Sequence, residues 1–354
     1  LSEAATAASV RVRVDGKGET SADFACRPGE TILHAGLRAG VALAYECATG
    51  TCGTCKATLV SGETVCDWPE APGHKTVKAE RRELLMCQNR PLDDVSLTVA
   101  RRLDLPVDRI APDYTSGVID GSRTVADGVV AFTIVLDTTM SFRAGQFALV
   151  SVDGVPGARA YSMTNFAAET ARLELLVKRS GGGFTGWLFE KPRDGARVRV
   201  FGPVGAAVFE PELGHELCLM AGGSGIAGMM AMLEHACGIG YFREHAGEVV
   251  FGVRTSADVF FLDELAAYAS AADGRLRVTI ALSHDDASPE LRARYPNLDF
   301  ATGFVHDAAR SKAIALENAM YFIAGPPPMV DASLRMLLLE AKAPANRIRY
   351  DKFG

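Results

Sequence analysis

No run of about 18 or more apolar residues occurs in the 354-residue chain, so nothing in it reads as a transmembrane helix. Positive charge is not in excess: 37 Lys and Arg stand against 43 Asp and Glu, a net charge of −6. That balance indicates neither a nucleic-acid-binding surface nor an acidic tail. No C-x-H element accompanies the cysteines, which excludes a Rieske-type centre with its two histidines. Internal repeats, low-complexity tracts and nucleophile or metal-hydrolase constellations are missing too. No apolar signal peptide is visible, and the length supports a core without disulfide staples, so the eight cysteines suit a reducing, cytoplasmic setting.

What is present is organised around residues 45–55, YECATGTCGTC. Cys47, Cys52 and Cys55 stand in a C-x4-C-x2-C spacing and Cys87 follows, the plant-type pattern for four thiolates on a two-iron, two-sulfur cluster. Gly50, Thr51, Gly53 and Thr54 let the backbone curl closely enough to turn N–H groups toward anionic sulfur. A structural zinc site also takes four cysteines, usually as two C-x2-C-like pairs rather than a triplet and a distant single. Cys26, Cys66, Cys218 and Cys237 make no such spacing and read as small buried residues.

The length predicts two or three domains. Residues 10–14 and 20–25 read as a hairpin, Thr31 caps a helix reaching about residue 39, and strands follow at 56–60 and 95–100. Together these describe a β-grasp domain over 1–104. It holds 13 Lys/Arg and 14 Asp/Glu, so docking of a partner is expected to lean on shape and apolar contact. His34 reads as a surface or satisfied residue, and the turn at Trp68 and Pro69 as exposed or as shaping a docking face. Residues 101–112 read as a linker. Short strands at 117–119, 129–136, 146–152, 172–177 and 197–201, with a helix at 184–190, predict an antiparallel β-barrel over 105–211. Beyond it, strands at 216–221, 248–253, 277–282 and 319–324 alternate with helices at 228–236, 261–271 and 329–341. That alternation predicts a doubly wound parallel sheet over 212–354, giving a multidomain α+β and α/β chain.

Three motifs carry chemistry beyond the cysteines. In Arg159-Ala160-Tyr161-Ser162, strand alternation puts a guanidinium and an aromatic plane on one face. A flavin needs both, the first for phosphate and the second for its ring system, and Ser162 could offer a hydroxyl near the ring's redox-active edge. Gly181-Gly182-Gly183-Phe184-Thr185 opens a helix whose backbone N–H groups suit a phosphate. Gly222-Gly223-Ser224-Gly225-Ile226 runs from strand to helix, as a pyrophosphate-binding turn must, though without a G-x-G-x-x-G fingerprint or an assignable ribose-binding acid. Gly325-Pro326-Pro327 again ends a strand and starts a helix.

This order of motifs, closed by Tyr350-Asp351-Lys352-Phe353, resembles the ferredoxin-NADP reductase superfamily in the form with an N-terminal plant-type ferredoxin. More narrowly, it resembles the NADH-dependent reductase components of bacterial multicomponent oxygenases, such as toluene monooxygenase and aromatic-ring dioxygenase systems of hydrocarbon catabolism. The resemblance covers nearly the whole chain. It implies a monomeric electron-transport flavoprotein passing electrons from NADH through FAD to a 2Fe-2S cluster, and on to a terminal oxygenase component or its ferredoxin. The rivals are a reductase for a cytochrome P450 or another haem partner, and a non-catalytic redox sensor. Cys47 and Cys52 are implied for the outer iron, Cys55 and Cys87 for the inner. Arg159, Tyr161, Ser162, Lys178, Gly182, Gly183 and Thr185 are implied for FAD, and Gly222 to Ile226, Arg254, Gly325, Pro326 and Pro327 for the nicotinamide nucleotide. Ser162 and Phe353 are implied to flank the reacting flavin.

Overall fold

The structure, a computed structural model, describes residues 9–103 and 110–352. These residues fall into two compact units. One takes in the described part of Leu1–Thr115 with Ala148–Ala160 and Val198–Val204, the other Ser116–Phe147, Tyr161–Arg197 and the described part of Gly205–Gly354.

In the first unit, β1 (Val10–Asp15) and β2 (Ser21–Cys26) form the expected hairpin, Val10 opposite Cys26. Alternation decides the faces: Val12 and Val14 are fully buried, while Arg11 and Arg13 turn outward to Asp23. Helix α1 (Ile32–Arg38) starts at Thr31, whose side chain accepts the His34 N–H, and buries Ile32, Leu33, Ala35 and Leu37. Five short strands follow: β3 (Lys56–Ser61), β4 (Thr64–Cys66), β5 (Glu83–Leu85), β6 (Asn89–Pro91) and β7 (Val95–Thr98). The sheet order is β2-β1-β7-β3-β5, with β7 parallel to β1. The last strand thus lies in the middle of the sheet, where Val95 and Leu97 are buried, and the β-grasp is closed from within.

The six strands of the barrel-like segment are β8 (Asp113–Ala126), β9 (Val129–Met140), β10 (Phe147–Ser151), β11 (Arg159–Ser162), β12 (Thr170–Lys178) and β13 (Arg197–Val204). Their order is β11-β10-β13-β8-β9-β12. Strand β8 is far longer than the 117–119 expected. Register shifts between Asp120 and Arg123 and between Thr124 and Ala126 break the alternation by which its second half would be recognised. Helix α2 (Gly183–Glu190) follows β12.

The second unit also holds a parallel sheet of β14 (Glu216–Gly222), β15 (Gly247–Val253), β16 (Leu276–Leu282), β17 (Asp299–Thr302), β18 (Ala319–Gly325) and β19 (Ile348–Lys352). Helices α3 (Ala227–Gly238), α4 (Leu262–Ala271), α5 (Pro289–Arg294), α6 (Val305–Ala315) and α7 (Pro327–Leu339) connect them. The order β17-β16-β15-β14-β18-β19 reverses direction between β14 and β18, the switch point at which open α/β sheets bind ligands. Near-continuous burial of β14 and β18 is what a sheet covered on both faces requires.

Candidate functional site

Four cysteine side chains meet as two pairs. The Sγ atoms of Cys47 and Cys52 lie 3.2 Å apart, as do those of Cys55 and Cys87. Cys55 and Cys87 are buried, whereas Cys47 and Cys52 are half-buried. Backbone N–H groups of Thr49 and Cys52 point at the Cys47 sulfur and that of Thr54 at the Cys52 sulfur, each at 3.4 Å, and the Gln88 amide donates to Cys87 at 3.7 Å. These donors favour thiolate. The Cys47 thiol is pulled down to about 4, first by the Cys52 thiol and further by those N–H groups. Among the described residues, no three Cys, His or carboxylate side chains converge as one mononuclear ion would need. Two separate pairs, one deep and one shallow, therefore fit two irons with two thiolates each better than a single tetrahedral zinc.

The loop reaches this shape through its glycines. Gly53 sits at φ +79°, and a Cβ there would meet the Thr76 hydroxyl at 2.5 Å. Gly73 donates its N–H to the Gly50 carbonyl at 2.8 Å and has no room for a side chain. The segment between the third and fourth cysteines thus folds back over the loop that carries the first three.

Arg159 and Trp68 belong to the same unit. The guanidinium lies over the indole at 5.5 Å and donates to the Ala158 carbonyl at 2.9 Å. Trp68 is half-buried, which departs from the exposed turn expected there. In the second unit the Tyr161 ring tilts against Phe184 at 5.5 Å, and Phe184 in turn meets Trp187. Phe184 is fully buried, so it anchors α2 beside Tyr161. Gly182 caps that helix and Gly183 opens it. The Thr185 hydroxyl turns inward and donates to the carbonyls of Ser180 and Gly182. Lys178 ends β12 with its side chain exposed.

Ser162 lines a cleft together with Gly145, Gly228, Gly225, Ala324 and Asp351. A Cβ on Gly228 would stand 3.4 Å from the Ser162 Cβ, in ordinary van der Waals contact, and would take up part of the space beside the hydroxyl. The glycine turn after β14 and the Gly-Pro turn after β18 sit side by side. A Cβ on Gly222 would meet Met329 at 2.9 Å and Pro326 at 3.1 Å, while one on Gly225 would run into the Ala324 carbonyl. Gly223, at φ +54°, faces open space, where a pyrophosphate can approach the backbone. Ser224 and Ile226 complete this 3-10 turn into α3, and Pro326 and Pro327 start α7. The residues present therefore fit a dinucleotide at the sheet's switch point and a flavin beside Ser162 and Tyr161.

Arg254, exposed after β15, accepts the His284 N–H on its carbonyl at 2.8 Å. Next to it the Asp258 carboxylate accepts the Thr255 N–H and hydroxyl, and the Asp285 carboxylate accepts from Ser256. Phe353 lies outside the described residues. Sequence reasoning missed Asp285, Asp351 and the pairing of Trp68 with Arg159. Asp351 belongs to β19, whose short, charged IRYDK pattern carries no strand signal by itself. The other two depend on contacts between segments far apart in the chain.

Three family models match in the same order: a 2Fe-2S iron-sulfur cluster binding domain at 12–92, an oxidoreductase FAD-binding domain at 118–209 and an oxidoreductase NAD-binding domain at 219–334. The chain is 32% identical to the ferredoxin–NAD(+) reductase component of an alkene monooxygenase system of Xanthobacter autotrophicus, over 93% of this chain and 97% of that one. It is 33% identical to an aromatic O-demethylase reductase subunit of Amycolatopsis, over 93% and 95%. Among solved structures it resembles the ferredoxin reductase of carbazole 1,9a-dioxygenase (28% identity, TM-score 0.79, 98% and 99% covered). A cytochrome P450 reductase of Amycolatopsis is similarly close (29%, 0.79, 97% and 98%). The arrangement of the cysteines, domain order and full-length similarity agree, and the chain belongs to the family of NADH-dependent ferredoxin reductase components of multicomponent oxygenases, flavoproteins that carry their own 2Fe-2S domain.

Proposed function

We propose that this reductase delivers single electrons to a terminal oxygenase component or its ferredoxin in an aromatic- or hydrocarbon-hydroxylating system, as a cytoplasmic monomer that needs neither membrane nor nucleic acid. The observation that supports it most is the two-pair arrangement of Cys47/Cys52 and Cys55/Cys87 in a chain that also carries a dinucleotide turn at a sheet switch point. No helix among the described residues is long and apolar enough to cross a membrane. The working division is 1–104 for the cluster, 105–211 for FAD and 212–354 for the nucleotide.

The bound groups supply hydride transfer at one end and one-electron transfer at the other. The protein's own residues do the rest. Gly222 to Ile226 leave the backbone bare for the pyrophosphate, with Gly325, Pro326 and Pro327 beside them, and Gly225 and Gly228 keep the cleft open next to the Ser162 hydroxyl. Arg159, Lys178 and the opening of α2 at Gly182 and Gly183 bind flavin phosphates or the ribityl chain, and Tyr161 offers a flat face to the ring. Thr185 shapes that opening through its carbonyl contacts rather than by reaching outward. Phe353 is assigned to the flavin by resemblance alone. Arg254 is the one cation between residues 252 and 258, and the Asp258 and Asp285 carboxylates border the same turn, which supports NADH over a nucleotide with a 2′-phosphate.

Purified protein mixed anaerobically with NADH should bleach flavin and cluster bands together. Reconstitution with candidate diiron, Rieske and P450 oxygenases then identifies the acceptor. A preparation that takes up no flavin would sink this reading, and turnover with a P450 alone would hand it to the haem-partner alternative.

A further inference from the structure

We propose that Trp68 is a positioning residue that holds the Arg159 guanidinium ready for the flavin phosphates. The inference rests on reading Arg159 as the phosphate partner. Trp68 stands between the third and fourth cysteines, in a loop fixed on both sides. The Asp67 N–H donates to the carbonyl of Gln88, next to Cys87, at 2.8 Å, and the Ala71 N–H donates to the Trp68 carbonyl at 3.1 Å. The Asp67 carboxylate is in turn held by Arg90 at 2.6 Å.

Against this fixed indole the Arg159 guanidinium packs at 5.5 Å. A cation over an aromatic face is attracted without a hydrogen bond, so the contact does not use up the five guanidinium N–H donors. One edge donor, Nη1, is tied to the Ala158 carbonyl. Gly157, at φ +76°, makes the preceding turn and would place a Cβ 3.0 Å from that nitrogen. A free arginine samples many rotamers and loses that freedom on binding phosphate. An arginine already held by an aromatic face and a carbonyl has lost much of it beforehand.

Other contacts also join the cysteine module to barrel strands inside the first unit. Arg27 pairs with Asp113 at 2.8 Å. His34 stacks on Phe201 with centroids 4.2 Å apart, and its Nδ1 lies 2.7 Å from the Tyr114 hydroxyl. Trp68 therefore meets Arg159 as part of a built surface.

The test is FAD affinity of the deflavinated protein with its cluster intact, read from flavin fluorescence quenching. Trp68→Leu should weaken FAD binding about tenfold, the order of a lost cation–π contact, while Trp68→Phe keeps affinity near wild type and both retain the cluster absorbance. Arg159→Ala should weaken binding at least as much, and the double variant Trp68→Leu/Arg159→Ala no further. Equal affinity in the Leu and Phe variants, with Arg159→Ala still impaired, overturns the role of Trp68 and leaves the Arg159 reading intact. An Arg159→Ala protein that binds FAD normally overturns the reading beneath it.

Discussion

Cys52 and His34 show how differently single residues are exposed to view. Cys52 belongs to a spacing, and the spacing is visible in sequence. Cys52→Ser should abolish cluster absorbance and electron transfer to cytochrome c while NADH-to-ferricyanide transfer stays largely intact; loss of both activities together would contradict a modular electron path. His34 carries no such signal and reads as a surface or satisfied residue. The structure buries it between Tyr114 and Phe201, with Nε2 lacking a partner among the described residues. Burial pushes its imidazole down from 6.5 to about 4. A depressed folded value means that the folded protein binds this proton more weakly than the unfolded chain. The stabilisation is thus complete above pH 6.5 and declines as pH falls, by at most about 1.4 kcal/mol per pH unit, until it is lost near pH 4. His34→Phe removes that proton, so its urea midpoint should fall less than the wild type's between pH 7 and 4.5. Parallel midpoints would rule the histidine out as an acid-sensitive point.

At the scale of elements, the glycine turn after β14 shows that glycines of one motif are not equivalent. Gly223 needs only its left-handed φ of +54° and has open space around it, whereas a side chain at Gly225 collides with the Ala324 backbone. Gly223→Ala should cost about 1–2 kcal/mol of local strain and leave rapid reduction by NADH measurable. Gly225→Ala must push β14 and β18 apart at the switch point, and anaerobic stopped-flow should find flavin reduction slowed by more than about tenfold; similar rates for the two variants would disprove the distinction. The β-grasp hairpin, the cysteine loop and four strands of the parallel sheet were legible because alternation and apolar runs are local. Helix α6 was not. Its buried stripe is Val305, Ala309 and Ala313, spaced at i, i+4 and i+8, and alanines in a charged segment give little hydrophobic contrast. Strand β19 is held by parallel pairing of Tyr350 with Ile323 and Asp351 with Ala324, a non-local cause that its own five residues do not display.

For the whole molecule, the division by contact does not follow the motifs. Sequence separates the chain into cluster, flavin and nucleotide segments, yet most of β10 and most of β13 cluster with the cysteine module. Deleting residues 1–103 removes the His34 ring from Phe201, which is 2% exposed, and removes Arg27 from Asp113. The remaining chain should melt lower by about 4–8 °C, the shift expected for roughly 2 kcal/mol in a domain pair of this size; calorimetry showing an unchanged transition would mean that the segments are energetically independent. The kinds of chemistry were legible in sequence alone, because thiolate spacing, glycine turns after strands and an Arg-x-Tyr-Ser strand are short-range patterns of residue types suited to such cofactors. Only the tertiary structure decided that β7 closes the β-grasp from its centre and that Trp68 lies against Arg159. Those outcomes arise from packing between residues tens of positions apart, and side-chain burial at such distances leaves no periodic trace in the chain.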